Sequence, residues 1–192
     1  MWDMKSILTA FLAVCFCLPL LGDEKSDKEI FESTKARAEK GDAEAQCILG
    51  VMYDYGKGVL EDDKEAVKWY RKAAEQGDAL AQFNLGIMYD NGEGVLEDDK
   101  EAVKWYRKAA LQGDAEAQAR LGALYDKGQG VPEDATTAYA WYNIAAANGH
   151  AIAKKNIGLI AKQMTKEQIA KAQELSKELL KKIEANLKAK KD

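Results

Sequence analysis

The stretch Gly-Asp-Ala-x-Ala-Gln begins at Gly41, Gly77 and Gly113, each 36 residues after the last, and decays to Gly-His-Ala-Ile-Ala-Lys at Gly149. A constant period of this length means stacked supersecondary units, none of which can bury its apolar face alone. Residues 41–76 and 77–112 agree at 29 of 36 positions, with an unbroken run from Gly58/Gly94 to Ala74/Ala110. Residues 113–148 keep 19 of 36 matches to the second unit. The repeat therefore dictates the architecture before any single residue is weighed.

Within each unit two helical patterns flank a glycine loop. Asp42 is a good N-cap, and Ala45, Leu49, Met52 and Tyr53 recur at helical spacing to about Tyr55. The small residues Ala45 and Gly50 invite close approach of a neighbouring backbone. The loop Gly56-Lys57-Gly58-Val59 has two residues free to turn the chain back. Asp62 or Asp63 then caps a second helix, whose buried stripe is Ala66, Val67, Trp69, Tyr70, Ala73 and Ala74. Gly77 stands at the usual C′ position past its end. No segment alternates with period two over a useful length, so no sheet is expected.

The domain reading follows: a leader over 1–22, a linker and half-repeat helix over 23–40, and repeats over 41–76, 77–112 and 113–148. A terminal half-repeat takes 149–163, and a C-terminal capping helix with a basic tail takes 164–192. In residues 27–40, Arg37 and Ala38 stand where Ala73 and Ala74 stand later. Thr165 to Gln168 forms a capping box, followed by an apolar stripe of Ile169, Ala172, Leu175, Leu179, Leu180 and Ile183. This helix is expected to close the open end of the stack, with residues 188–192 frayed.

Ile7 to Leu21 is an apolar run of 15 residues broken by Pro19, followed by an abrupt switch to charge. Its length suits a secretory leader and falls short of the roughly 20 residues a spanning helix needs. Cleavage is expected after Gly22, a start at Met4 would make a cleaner n-region, and lipidation at Cys15 or Cys17 or an uncleaved anchor are the alternatives. The protein is thus expected to be exported, periplasmic or secreted. Cys47, whose counterparts are Phe83 and Ala119, reads as a packing residue, with an intermolecular disulfide or a reactive thiol as the minority alternative.

Charge is uneven. Residues 41–148 hold 20 acidic and 11 basic side chains, a net −9. Residues 166–192 hold eight lysines against five acids, a net +3. An acidic array without a basic stripe is a poor nucleic-acid surface. The C-terminal lysines are the one place where contact with an anionic membrane is conceivable, and a solvated helix face is the preferred reading of them.

Little in the chain suggests chemistry. His150, the only histidine, replaces Asp42, Asp78 and Asp114 at a cap position. One histidine and one mature-chain cysteine cannot make an ordinary zinc site, and no nucleophile–base constellation assembles. The Glu-Asp-Asp clusters at 61–63 and 97–99 lack the alternating ligands and mid-loop glycine of a calcium loop and open helices instead. No metal and no cofactor is expected. The pairs Trp69-Tyr70, Trp105-Tyr106 and Trp141-Tyr142 recur in every unit, so they hold the stack together.

Ala-x-Ala-Gln-x-x-Leu-Gly-x-Met-Tyr, Gly-x-Gly-Val and Ala-x-x-Trp-Tyr-x-x-Ala-Ala-x-x-Gly, at this period over residues 41–163, resemble the Sel1-like repeat family, relatives of tetratricopeptide repeats. The segment from Met164 resembles the terminal helix of many bacterial members. The resemblance implies an all-α fold, a right-handed α–α superhelix, and a scaffolding or recognition role toward other proteins. A cysteine-rich branch is tied to penicillin-type ligands, but it carries a cysteine pair in each repeat, which this chain lacks.

Positions that differ between near-identical units are free of packing demands. On the first helices these are Glu44/Leu80/Glu116, Ile48/Asn84/Arg120 and Tyr55/Asn91/Lys127. The resemblance places first helices on the concave face, so Asn84, Arg120, Asn91, Lys127 and Tyr55 are the candidate contacts for a peptide backbone or carboxylate. Neutral drift on a solvated face accounts for the same variation. The expected protein is a non-enzymatic monomer that binds a protein or peptide. A hydrolase or penicillin-binding activity, or an envelope role through the C-terminal helix, are the alternatives.

Overall fold

The computed structural model describes residues 24–190, and all regular structure among them is helical. The leader, its cleavage site, Cys15, Cys17 and residues 191–192 lie outside the described residues. The order is α1 (Glu24–Glu39), α2 (Ala43–Asp54), α3 (Asp63–Glu75), α4 (Ala79–Asn91), α5 (Asp99–Ala110), α6 (Ala115–Lys127), α7 (Ala135–Ala147), α8 (Ala151–Ile160), a short 3₁₀ turn (Ala161–Gln163) and α9 (Lys166–Ala189). Helices α2, α4, α6 and α8 are the first helices of successive units, and α3, α5 and α7 the second. Helices α2 to α7 each pack on both sequence neighbours, α8 packs on α7, and α1 packs on α2 as a second helix would.

Caps define the boundaries. Asp42, Asp78 and Asp114 each accept the N–H three residues on, as the first-helix reading expects. Asp62, Asp98 and Asp134 do the same for the second helices, which decides between Asp62 and Asp63. Satisfying these orphan donors is worth about 1 kcal/mol per helix. In the loops Gly56 and Gly58 take φ of 63° and 71°, a region that side chains avoid. Gly58, Gly94 and Gly130 also seat each loop on the unit before it: a Cβ at Gly94 would stand 2.3 Å from Asp63 O.

Two devices lock the units together. Gln46, Gln82 and Gln118 are buried, and their amides donate to Ala38 O, Ala74 O and Ala110 O of the preceding second helix at 3.0, 3.0 and 3.1 Å. Their carbonyls accept from Gln76, Gln112 and Asn148 at 2.7, 2.6 and 2.9 Å. One side chain thus satisfies a helix-end carbonyl of one unit and clasps the second helix of its own. The second device is a notch. Gly50, Gly86 and Gly122 leave room for the rings of Tyr70, Tyr106 and Tyr142, which lie 2.6 Å from where a Cβ would be. The close approach expected at Gly50 is therefore made by an aromatic ring, not by a backbone. Tyr70 and Tyr106 donate their hydroxyls to Asp54 and Asp90 at 3.1 and 3.2 Å. Burial, with these carboxylates second, pushes both phenols well above their ordinary range.

The long C-terminal helix is present, with its Thr165–Gln168 capping box. It closes the array from the side, lying along α7 rather than over the end face of α8. The reason is local. On α3 and α5 the outer face carries Lys68/Lys72 and Lys104/Lys108, with Lys72 and Lys108 ammonium groups 3.9 and 4.0 Å from the Trp69 and Trp105 rings. On α7 the matching positions are Ala140 and Ile144, both fully buried. Ser176 Oγ donates to Ala172 O at 2.8 Å and lies 3.4 Å from Ala140 O, and Ile183 joins the core around Trp141 and Ile144. Farther along, Asn186 donates to Leu111 O at 3.0 Å and Lys190 reaches Gly77 O and Gln112. Of the tail expected to fray, residues 188 and 189 complete the helix and 191–192 lie outside the described residues.

Candidate functional site

Three of the five candidate residues meet. Asn91 ends α4, and Arg120 and Lys127 stand two turns apart on α6. With Asp90, Ala123, Leu124 and Gln129 they line an open depression of about 210 Å³ between these successive first helices. Gly92 and Gly128, at φ 71° and 68°, end the two helices in left-handed caps and hold their last turns in place. Arg120 Nη1 lies 3.9 Å from Asp90 Oδ2, the oxygen that accepts the Tyr106 hydroxyl. The buried notch is thus tied to the depression wall. Lys127 and Asn91 are exposed.

The other two candidates fall elsewhere. Asn84 is buried, with 7% exposure, and this corrects the expectation that it faces a ligand. Helix α4 is flanked by α3 and α5 and touches α2, and the short Asn84 side chain stays within that covered side. Sequence variation at position 84 does not mean exposure there. Tyr55 is half-buried and serves as the C-cap of α2, its N–H donating to Val51 O; it does not line the depression.

The depression has a single-step character. One unit earlier the corresponding positions are Asp54, Tyr55, Asn84, Ile87, Met88, Asn91 and Glu93, with no cation among them. Between α4 and α6 two cations and two amides, Asn91 and Gln129, border the apolar patch of Ala123 and Leu124. Such a set can donate to a carboxylate or to peptide carbonyls.

The groups weighed for chemistry are occupied structurally. His150 caps α8, with Nδ1 accepting from Ala153 N–H at 3.0 Å. Its Nε2 lies 3.2 Å from Glu116 Oε2, so in the neutral ring the single proton sits on Nε2 and points to the carboxylate. Ser33 and Ser176 donate to carbonyls of their own helices. Cys47 is buried among Ala66, Val67, Tyr70 and Ala74, and burial, with Asp78 second, raises its thiol far above the reactive range. Among the described residues no group of acids, histidine or cysteine is placed to hold a metal ion. Asp42 is held low by the Ala45 N–H and then Arg37, whereas burial raises Asp114.

Three features were missed at the sequence level: the glutamine clasp, the glycine–tyrosine notch, and the apolar outer face of α7. Each had a signal. Gln and Tyr recur in every unit, and the lysines of two units become Ala140 and Ile144 in the third.

The Sel1 repeat family model matches residues 43–78, 79–114 and 115–150, the same three units framed two residues later. The chain belongs to the Sel1 repeat family. Among solved structures it is similar to a protective antigen of uropathogenic Escherichia coli that displays this fold, at 31% identity and TM-score 0.62, covering 83% of this chain and 42% of that one. It is similar to a Sel1 repeat protein from Oxalobacter formigenes, at 39% identity and TM-score 0.62, covering 71% of this chain and 60% of that one. Helicobacter pylori cysteine-rich protein B shares the fold at 20% identity and TM-score 0.56, over 67% of this chain and 95% of that one. The chain thus spans less than two thirds of the first two. No curated protein matches it.

Proposed function

We propose that this Sel1 repeat protein is a non-enzymatic, exported adaptor that recognises a protein or peptide through the surface of its first helices, centred on the α4–α6 step. One observation carries the reading. Residues common to all units are spent on packing, whereas three that escaped the repeat, Asn91, Arg120 and Lys127, surround one depression. A peptide lying across the first helices would place an acidic side chain or its carboxyl terminus between Arg120 and Lys127. The apolar run before Gly22 supports export, and the acidic array argues against nucleic acid. Membrane contact is confined in this reading to the C-terminal lysines.

A peptide array probed with the labelled protein tests the recognition. Arg120→Ala/Lys127→Ala should cut binding to acidic peptides by about tenfold or more, a loss of about 1.4 kcal/mol or more. An unchanged peptide profile in that variant refutes the site. N-terminal sequencing of the protein from a bacterial host should begin near Asp23; intact Met1 would refute processing.

A further inference from the structure

The glycine–tyrosine notch occurs four times on first helices but is filled three times. Gly50, Gly86 and Gly122 are buried beneath tyrosine rings at 2.6 Å. Gly158 holds the same place on α8, yet nothing lies within 4 Å of where its Cβ would be, and it is exposed. The helix that should supply the ring is α9, and α9 is committed to α7. Beside the empty notch Leu159 is 50% exposed, where Val51, Ile87 and Ala123 of the filled units are half-buried. Lys154, Lys155 and Lys162 stand where the earlier units have Gln46, Cys47 and Asp54, and all three are exposed.

We propose that this open end of the array is a second docking site, which accepts an amphipathic helix from a partner protein in the position of the missing second helix. The chain itself defines the occupant, because the joint between first and second helices is built three times and stops at α8. In each copy the ring is flanked at i−4 and i+3 by fully buried alanines: Ala66 and Ala73 beside Tyr70, Ala102 and Ala109 beside Tyr106, Ala138 and Ala145 beside Tyr142. The partner helix therefore carries an aromatic residue between two small ones at that spacing. The three lysines add a charge requirement, since they replace an amide, an apolar site and a carboxylate. Acidic residues at the start of the partner helix complement them. The same charges disfavour α9, which is itself lysine-rich. The site goes beyond the α4–α6 reading and stands without it.

The probe is a peptide of residues 97–112, the chain's own acidic-fronted second helix, stapled between its exposed positions 104 and 108 and fluorescently labelled. The full chain should bind it saturably. Gly158→Leu, whose side chain enters open space and leaves folding intact by circular dichroism, should weaken binding about tenfold or more, as should Tyr106→Ala in the peptide. Arg120→Ala/Lys127→Ala should leave this binding unchanged, which separates the two sites. Absence of saturable binding, or equal binding by Gly158→Leu, would overturn the proposal. Self-association of the chain abolished by Gly158→Leu would also overturn it, by placing a second copy in the notch.

Discussion

Replacing Gly86 and Gly158 by alanine, one at a time, makes a comparison within one molecule. Both lie at the same place on a first helix, so intrinsic propensity favours alanine equally, by about 0.8–1 kcal/mol. At Gly158 the new methyl meets nothing within 4 Å. That variant should be as stable as the parent or gain up to about 1 kcal/mol. At Gly86 the methyl would stand 2.6 Å from Tyr106 Cδ1 and 2.7 Å from Cε1. The ring cannot retreat, because Tyr106 is fully buried and its hydroxyl is held by Asp90. Overpacking of this kind costs about 1–3 kcal/mol and outweighs the propensity gain at all but its lower end. Urea unfolding followed by circular dichroism reads the difference, which should be about 1–3 kcal/mol against Gly86→Ala. Adding Tyr106→Leu to each variant completes a double-mutant cycle, with coupling expected at Gly86 alone. Equal stability of the two alanine variants would refute the notch as a packing device.

Three further outcomes follow from buried groups. Gln82→Leu leaves Ala74 O and the Gln112 amide without their partner, so unfolding should need less urea by the equivalent of about 2 kcal/mol. Ile144→Lys restores the residue of the other units but buries an ammonium under α9; limited proteolysis should then release α9, which the parent protects. Tyr70 and Tyr106 have phenol pKa values raised in the fold, so the folded chain holds protons that the unfolded chain loses. Their contribution is intact below pH of about 10 and is lost as pH rises beyond it, at about 1.4 kcal/mol per pH unit for each tyrosine. The alkaline slope should be shallower by that amount in Tyr106→Phe, as read by urea midpoints across that range.

The array was legible because repetition multiplies weak signals. A single aspartate before an apolar run is a poor marker of a helix, but Asp42, Asp78 and Asp114 at one period are not. The same logic misjudged Asn84. Variation between duplicated units reports freedom from the repeat pattern, and a short side chain such as Asn84 can be free of that pattern and still covered by neighbours. Asn91 and Lys127 fared differently because they end their helices and are exposed, whereas Arg120 shares the helical position of Asn84 but carries a longer side chain, 36% exposed, that reaches towards Asp90. The route of α9 was the least accessible part. Its apolar stripe was plain from Ile169 to Ile183, but what it covers depends on Ala140 and Ile144, two substitutions that pass as drift until the lysines they replace are compared.

Site-directed photocrosslinking tests recognition through the first-helix surface most directly. A photoreactive phenylalanine analogue at position 127 reports on the α4–α6 step. The same group at position 68, where the Lys68 side chain is 54% exposed on α3, reports on the second-helix side. In extract of the source organism, position 127 should yield a discrete protein adduct that Arg120→Ala removes, and position 68 should yield none. An adduct formed from position 68, or one from position 127 indifferent to Arg120→Ala, would contradict recognition at the first helices.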